Sequence, residues 1–316
     1  FTTVSGGTLS LNGATSSVTT LNGGSLNLGG STVLTVSGGN SAGTINGGGS
    51  VVKDSGATLT LSGANTFSGA LTVNGGSLVA GAGALGYTSG ITVNGAVLSV
   101  VDYNSAATLS VNSSGLARIS GSGLSLGAVS NANTTTDSVL FGSASGTITL
   151  AGLSGVGSTR FGSDATIGGS ISAGNVNVAG VLSTNINGGI VGANELIANY
   201  VGGGVTTTLG GATVGLLNAG QLSVGGVGAF TTVNGGTLTL SGSTASVTTL
   251  NGGSLSLGGL TVLTVNGGDN VGTINGAGSL VKASGATLTL SGVNTFSGLL
   301  TVSGGSLVAG AGSLGS

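Results

Sequence analysis

Valine, leucine and isoleucine alternate with threonine, serine and asparagine in short runs throughout the chain. Four phrases show the form: TVSGGTLSL (3–11), TLNGGSLNL (20–28), TVNGGSLVAG (72–81) and TVNGAVLSV (92–100). Each is an alternating run, a corner of Asn or Ser with Gly, and a second alternating run. The rhythm persists in ATLTL (57–61), ATLSV (107–111), GTITL (146–150) and NVNVAGVL (175–182). A period of two puts apolar side chains on one face and hydroxyls on the other, so each run predicts a half-buried strand. No 3.6-residue periodicity is sustained, and no helix is predicted.

A longer repeat overlies this rhythm. Residues 1–86 align without a gap on residues 230–315, at an offset of 229, with 68 of 86 positions identical. Differences include Ser31 against Leu260, Ala42 against Val271 and Asp54 against Ala283. The chain therefore reads as one continuous structure over 1–316: copy A (1–86), a divergent remainder of the 229-residue unit (87–229), and copy B (230–316) that starts the next unit. Both ends read like interior repeats, which points to an excerpt from a tandem array or to subunits stacked head to tail.

Two β architectures compete for the pattern. Asn-Gly corners favour antiparallel hairpins and sandwiches. A sandwich core, however, leans on aromatics, and only 3% of the residues are aromatic. Its edges also need charge or Pro to block strand addition, and the chain has 3% charged residues and no Pro. A parallel β-solenoid fits better. Small aliphatics stack on their counterparts one rung away, Gly or Asn makes the corners, and every strand keeps its N–H for the ladder. The expected fold is all-β, a parallel β-helix. At about 17 residues per rung the chain makes about 18–19 rungs in a single rod.

Composition removes most chemistry. The 316 residues include 70 Gly, no His and no Cys, with a net charge of −2. Zinc, haem and iron–sulfur sites of the usual ligand types, disulfides, and triads built on His or Cys are excluded. Four basic residues offer nothing to nucleic acid. No run approaches the ~18 apolar residues of a membrane helix, and the first residues show no signal peptide. Disorder is also disfavoured, because 39% of residues are hydrophobic.

Residues 59–81, LTLSGANTFSGALTVNGGSLVAG, and 288–310, LTLSGVNTFSGLLTVSGGSLVAG, resemble the autotransporter-associated β-strand repeat. Asn65, Thr66, Phe67, Gly69, Gly75 and Gly76 occupy the motif positions, as do Asn294, Thr295, Phe296, Gly298, Gly304 and Gly305. The resemblance implies a right-handed parallel β-helix on, or released from, a bacterial surface. It carries over no catalytic residue and no cofactor.

The scarce charges are the candidate site residues. Asp102 and Arg118, one rung apart, are expected to form a surface ion pair, as are Arg160 and Asp164. Lys53 and Asp54 are adjacent and so face opposite ways. Asp137, Asp164 and Glu195 are the acids available to a glycosidase-like cluster, but their separations favour solvated surface charge. Thr58 with Thr60, Thr134–Thr136 and Thr206–Thr208 are candidates for ice-facing hydroxyls, although Thr is also the ordinary outward residue of a strand. Gly267-Gly268-Asp269 is a fragment of a calcium loop. Asn112-Ser113-Ser114 and Asn133-Thr134-Thr135 match the glycosylation pattern by composition alone.

With so few charges the outer walls are neutral and regular, a surface suited to packing. The expected function is therefore an extracellular structural or adhesive element, not an enzyme, that assembles with itself and touches cell-surface or matrix polysaccharide. The alternatives are a passenger adhesin with one defined host or carbohydrate ligand, and a polysaccharide-degrading enzyme.

Overall fold

The structure, a computed structural model, describes residues 1–112, 114–135, 137–171, 175–186 and 188–315, without the side chains at 143–145, 170, 180, 194 and 195. Among these residues it is all-β with no helix, its strands stacked in parallel as a β-solenoid of about 16 turns. The alternating runs become strands, for example Thr8–Leu11, Ser25–Leu28, Thr58–Leu61 and Ser77–Ala80. The Asn-Gly corners do not make hairpins: each strand pairs in parallel with one a full rung away, as Thr58 does with Ser77 and Ser77 with Val97.

The turns are fewer than the 18–19 expected because many rungs are longer than 17 residues. Twenty residues separate Val51 from Leu71, and 24 separate Val129 from Leu153. Other rungs are shorter, with 15 residues from Asn175 to Ile190 and 14 from Leu182 to Leu196. Stacking fixes only the strand registers, so extra residues are absorbed in the corners.

The chain divides into two compact units, Phe1–Gly168 and Gly169–Ser316. In the first, apolar residues form columns: Leu34, Val51, Leu71, Ile91, Leu109 and Val129 succeed one another in register. A second column runs Leu61, Ala80, Val100, Ile119, Phe141 and Phe161. It ends in two buried rings stacked with centroids 5.1 Å apart. In the second unit the column Leu222, Leu238, Leu255 and Ile274 does the same work. Each fully buried Val or Leu contributes about 1.5–3 kcal/mol, and within each column one rung covers the next.

The two copies fold alike. Ser50–Lys53 and Ser279–Lys282 share one alternation of half-buried and buried residues, and so do Thr58–Leu61 and Thr287–Leu290. Some differences between copies lie outside. Leu260, Val271, Val293 and Leu299 are 67–86% exposed, where copy A has the exposed Ser31, Ala42, Ala64 and Ala70.

Candidate functional site at the buried corners

The motif residues converge on the corners that join one rung to the next. Asn65 is buried, and its side chain touches two other rungs. Its Oδ1 accepts the Ile45 N–H at 2.7 Å, and its Nδ2 donates to the Ala84 carbonyl at 2.5 Å. Asn294 repeats the arrangement with the Ile274 N–H at 2.7 Å and the Ser313 carbonyl at 2.6 Å. Asn serves here because one side chain offers both an acceptor and a donor. Thr66 and Thr295 are exposed, and Thr66 donates to Asn46 at 2.9 Å. Phe67 and Phe296 turn inward and plug the core.

Glycine is required at the adjoining corners by close approach. A Cβ on Gly69 would overlap the Gly49 carbonyl, and one on Gly298 the Gly278 carbonyl. Gly76 and Gly305 add positive φ, 64° and 69°, a region that side chains disfavour. At Gly75 and Gly304 the nearest backbone atoms would lie at 3.1 and 3.3 Å from a Cβ, tight but not overlapping.

The sequence reading missed the most unusual corner group. Lys53 and Asp54 do face opposite ways, but Lys53 is the one that points inward, with no solvent exposure. It stands in a valine column, between Val36 and Val73. Its Nζ donates to the Ser55 carbonyl at 2.5 Å and the Gly75 carbonyl at 2.9 Å. Lys282 is equally buried and donates to Ala283, Ser284 and Gly304 carbonyls at 2.7, 2.9 and 2.9 Å. Burial pushes the Lys53 ammonium below its ordinary 10.5, and neighbouring Asp54 opposes this in part. A signal was present: in Ser-Val-Val-Lys, alternation from inward Val51 puts position 53 inward too.

These corners lie inside a recognised repeat. The family described as the passenger-associated-transport-repeat matches residues 51–80 and 280–309. No curated protein and no solved structure matches the chain. Each passenger-associated-transport-repeat starts in the strand that carries the buried lysine and ends in the strand Ser77–Ala80 or Ser306–Ala309. It spans about one and a half rungs, and so encloses the lysine, the asparagine staple, the phenylalanine plug and the Gly-Gly corner that the lysine holds.

Outside the passenger-associated-transport-repeats the other candidates scatter. Register sets Ser99, not Asp102, beside Arg118. Asp102 instead accepts the Ser122 N–H at 3.3 Å, because the chain turns there with a φ of 51°. Arg160 pairs with Asp137 at 3.3 Å. Asp137 and Asp164 lie in the first unit and Glu195 in the second, its side chain outside the described residues. Thr206 and Thr208 point inward, leaving only Thr207 of that triplet outside. Thr60 is followed in its outward column by Val79, so neither set makes a hydroxyl plane. Thr134 and Thr135 are exposed in a loop, while Thr136 and Ser113 lie outside the described residues. No group of potential metal ligands, Asp269 included, occurs among the described residues.

Proposed function

We propose that this protein is a non-catalytic structural element of a bacterial surface, a solenoid that associates with itself through neutral walls. The matches to the passenger-associated-transport-repeat and the β-solenoid fold fit a surface passenger protein, which supports a setting outside the cell. Self-association is the further step, and one observation carries it. The surface is sparse in charge: the chain has only ten charged residues, and two of them, Lys53 and Lys282, are buried. Ordinary soluble proteins rely on surface charge to stay apart. In copy B the outer face also gains Leu260, Val271, Val293 and Leu299 in place of smaller residues, and exposed apolar area favours contact.

Sedimentation velocity and negative-stain imaging over a concentration series test the reading. Concentration-dependent fibres or sheets are expected, weakened when Leu260→Ser, Val271→Ala, Val293→Ala and Leu299→Ala restore the copy A residues. Single particles at every concentration would overturn it. Chain cleavage of any glycan in a substrate panel would overturn the non-catalytic part.

A further inference from the structure

We propose that the outward column carrying Arg118 and Arg160 is a contact site for an acidic polysaccharide, a chain bearing uronate or sulfate groups. The proposal does not depend on self-association. Of the four basic side chains, Lys53 and Lys282 are buried, whereas Arg118 and Arg160 are exposed. All the outward-facing side-chain cations thus lie on one face of the first unit. Register places Ser99, Arg118, Leu140 and Arg160 in succession on that face. Two strand spacings separate the arginines, so their Cα atoms are about 10 Å apart, on the scale of one disaccharide. Half-buried Leu140 lies between them, an apolar floor for the C–H face of a sugar ring.

Both guanidinium groups have donors to spare. Arg118 makes no ion pair among the described residues, and Arg160 gives one Nη1 contact to Asp137 Oδ2 at 3.3 Å. Guanidinium carries five N–H donors in a fork that matches a carboxylate or sulfate. Asp137 is held over Arg160 by its loop: its φ is 52°, and its N–H donates to Ser158 Oγ at 3.2 Å. Neighbouring Ser138 is buried and donates to the Asn133 carbonyl at 2.7 Å. Asp137 therefore both orients Arg160 and competes with any anion that approaches it.

Charge spacing selects the ligand class. Nucleic acid and anionic bilayers reward many adjacent cations, and these two arginines are the only exposed Lys or Arg side chains of the protein. A polysaccharide whose anions recur at the disaccharide spacing, on every sugar or on alternate ones, needs only two cations so placed, and its hydroxyls can bond to outward Ser99 and Ser120. The net charge of −2 repels polyanions in general, so retention of one reports a local site. Single contacts are weak, and many copies displayed together would strengthen them.

The test immobilises the full chain at high density and offers polygalacturonate, neutral dextran, anionic phosphatidylglycerol vesicles and single-stranded DNA. Polygalacturonate alone should be retained at low salt and released at high salt. Arg118→Gln and Arg160→Gln should each weaken retention about 3-fold, and the pair should abolish it. Asp137→Asn, which keeps a residue tolerant of positive φ, should strengthen it by a similar factor by removing the competitor. Equal dextran retention, indifference to the arginines, weaker binding by Asp137→Asn, or equal arginine-dependent capture of vesicles or DNA would each overturn the proposal.

Discussion

The Lys53 ammonium lies 2.9 Å from the carbonyl of Gly75 on the next rung, and Lys282 lies 2.9 Å from Gly304 in the second copy. A lysine in a valine column pairs corner carbonyls that the strand ladder leaves without an N–H. Lys53→Met keeps most of the stem but removes the donors. Relief from burying a charge offsets part of the loss, so a net cost of about 1–3 kcal/mol is expected. Since long repeats need not unfold in one step, the readout is amide exchange over residues 71–80. Unchanged or greater protection there would contradict the pinning role.

The same lysine gives a pH dependence. Burial lowers its pKa below 10.5, so between the lowered value and 10.5 the unfolded chain binds more protons than the folded one. Stability from this group therefore rises with pH across that window and is level below it. A neutral amine still has the two N–H groups that the Ser55 and Gly75 carbonyls require. The stability difference between wild type and Lys53→Met should grow as pH climbs toward 10.5. Asp54→Ala, the residue found at position 283, should widen the window by removing the opposing charge. A difference that shrinks with pH would refute the assignment.

How much of this was legible in the sequence depends on the range of the interaction. Strand alternation is local, so Leu59 and Leu61 could be placed inward and Thr60 outward from the sequence alone. Parallel stacking followed from the absence of Pro, aromatic bulk and edge charge. Rung length was not legible, because the 24 residues from Val129 to Leu153 include a loop whose size no strand register limits. The passenger-associated-transport-repeat positions were found by resemblance, but the roles of Asn65 and Gly76 needed the neighbouring rungs. That Lys53 and Asp54 face opposite ways was legible, and parity with inward Val51 also decides which of them is buried, but the carbonyls that receive the ammonium lie on a corner and a neighbouring rung.

Glycine corners differ sharply in what they tolerate. Gly76 has a φ of 64°, and a Cβ there would overlap the Ser55 and Ala57 carbonyls; Gly56 has no neighbour within 4 Å of a Cβ. Gly76→Ala should cost about 2–4 kcal/mol, combining backbone strain with displacement of the rung below. Gly56→Ala should be neutral or stabilise by up to about 1 kcal/mol by restricting the unfolded chain. Thermal melts of the two variants should separate clearly. Equal melting points would mean that the corner adjusts.

Asn65 is matched at both ends, to the Ile45 N–H and the Ala84 carbonyl. Asn65→Ala leaves both buried groups unpaired and opens a small cavity, for an expected loss of about 2–4 kcal/mol. Asn65→Asp should cost more despite its closer shape, since it sets an acceptor against the Ala84 carbonyl and buries a charge. Urea titrations that ranked Asp above Ala would show that the amide does not staple the rungs.

Two buried polar atoms invite the opposite result. Thr206 stands between Val191 and Leu222 in an otherwise apolar column, and its Oγ1 has no hydrogen-bond partner among the described residues. Thr206→Val is nearly isosteric and removes that unpaired hydroxyl, so it should stabilise the second unit by about 1 kcal/mol. Thr208, two residues on, donates to the Ser223 carbonyl at 3.4 Å, and Thr208→Val should be neutral or mildly destabilising. Asn270→Ser restores the copy A residue and removes an Nδ2 that has no partner among the described residues, again with an expected gain of up to about 1 kcal/mol. Melting the three variants in parallel decides the matter. If Thr206→Val loses stability while Thr208→Val does not, the Thr206 hydroxyl has a partner, such as a bound water, and the column is polar at that rung by design.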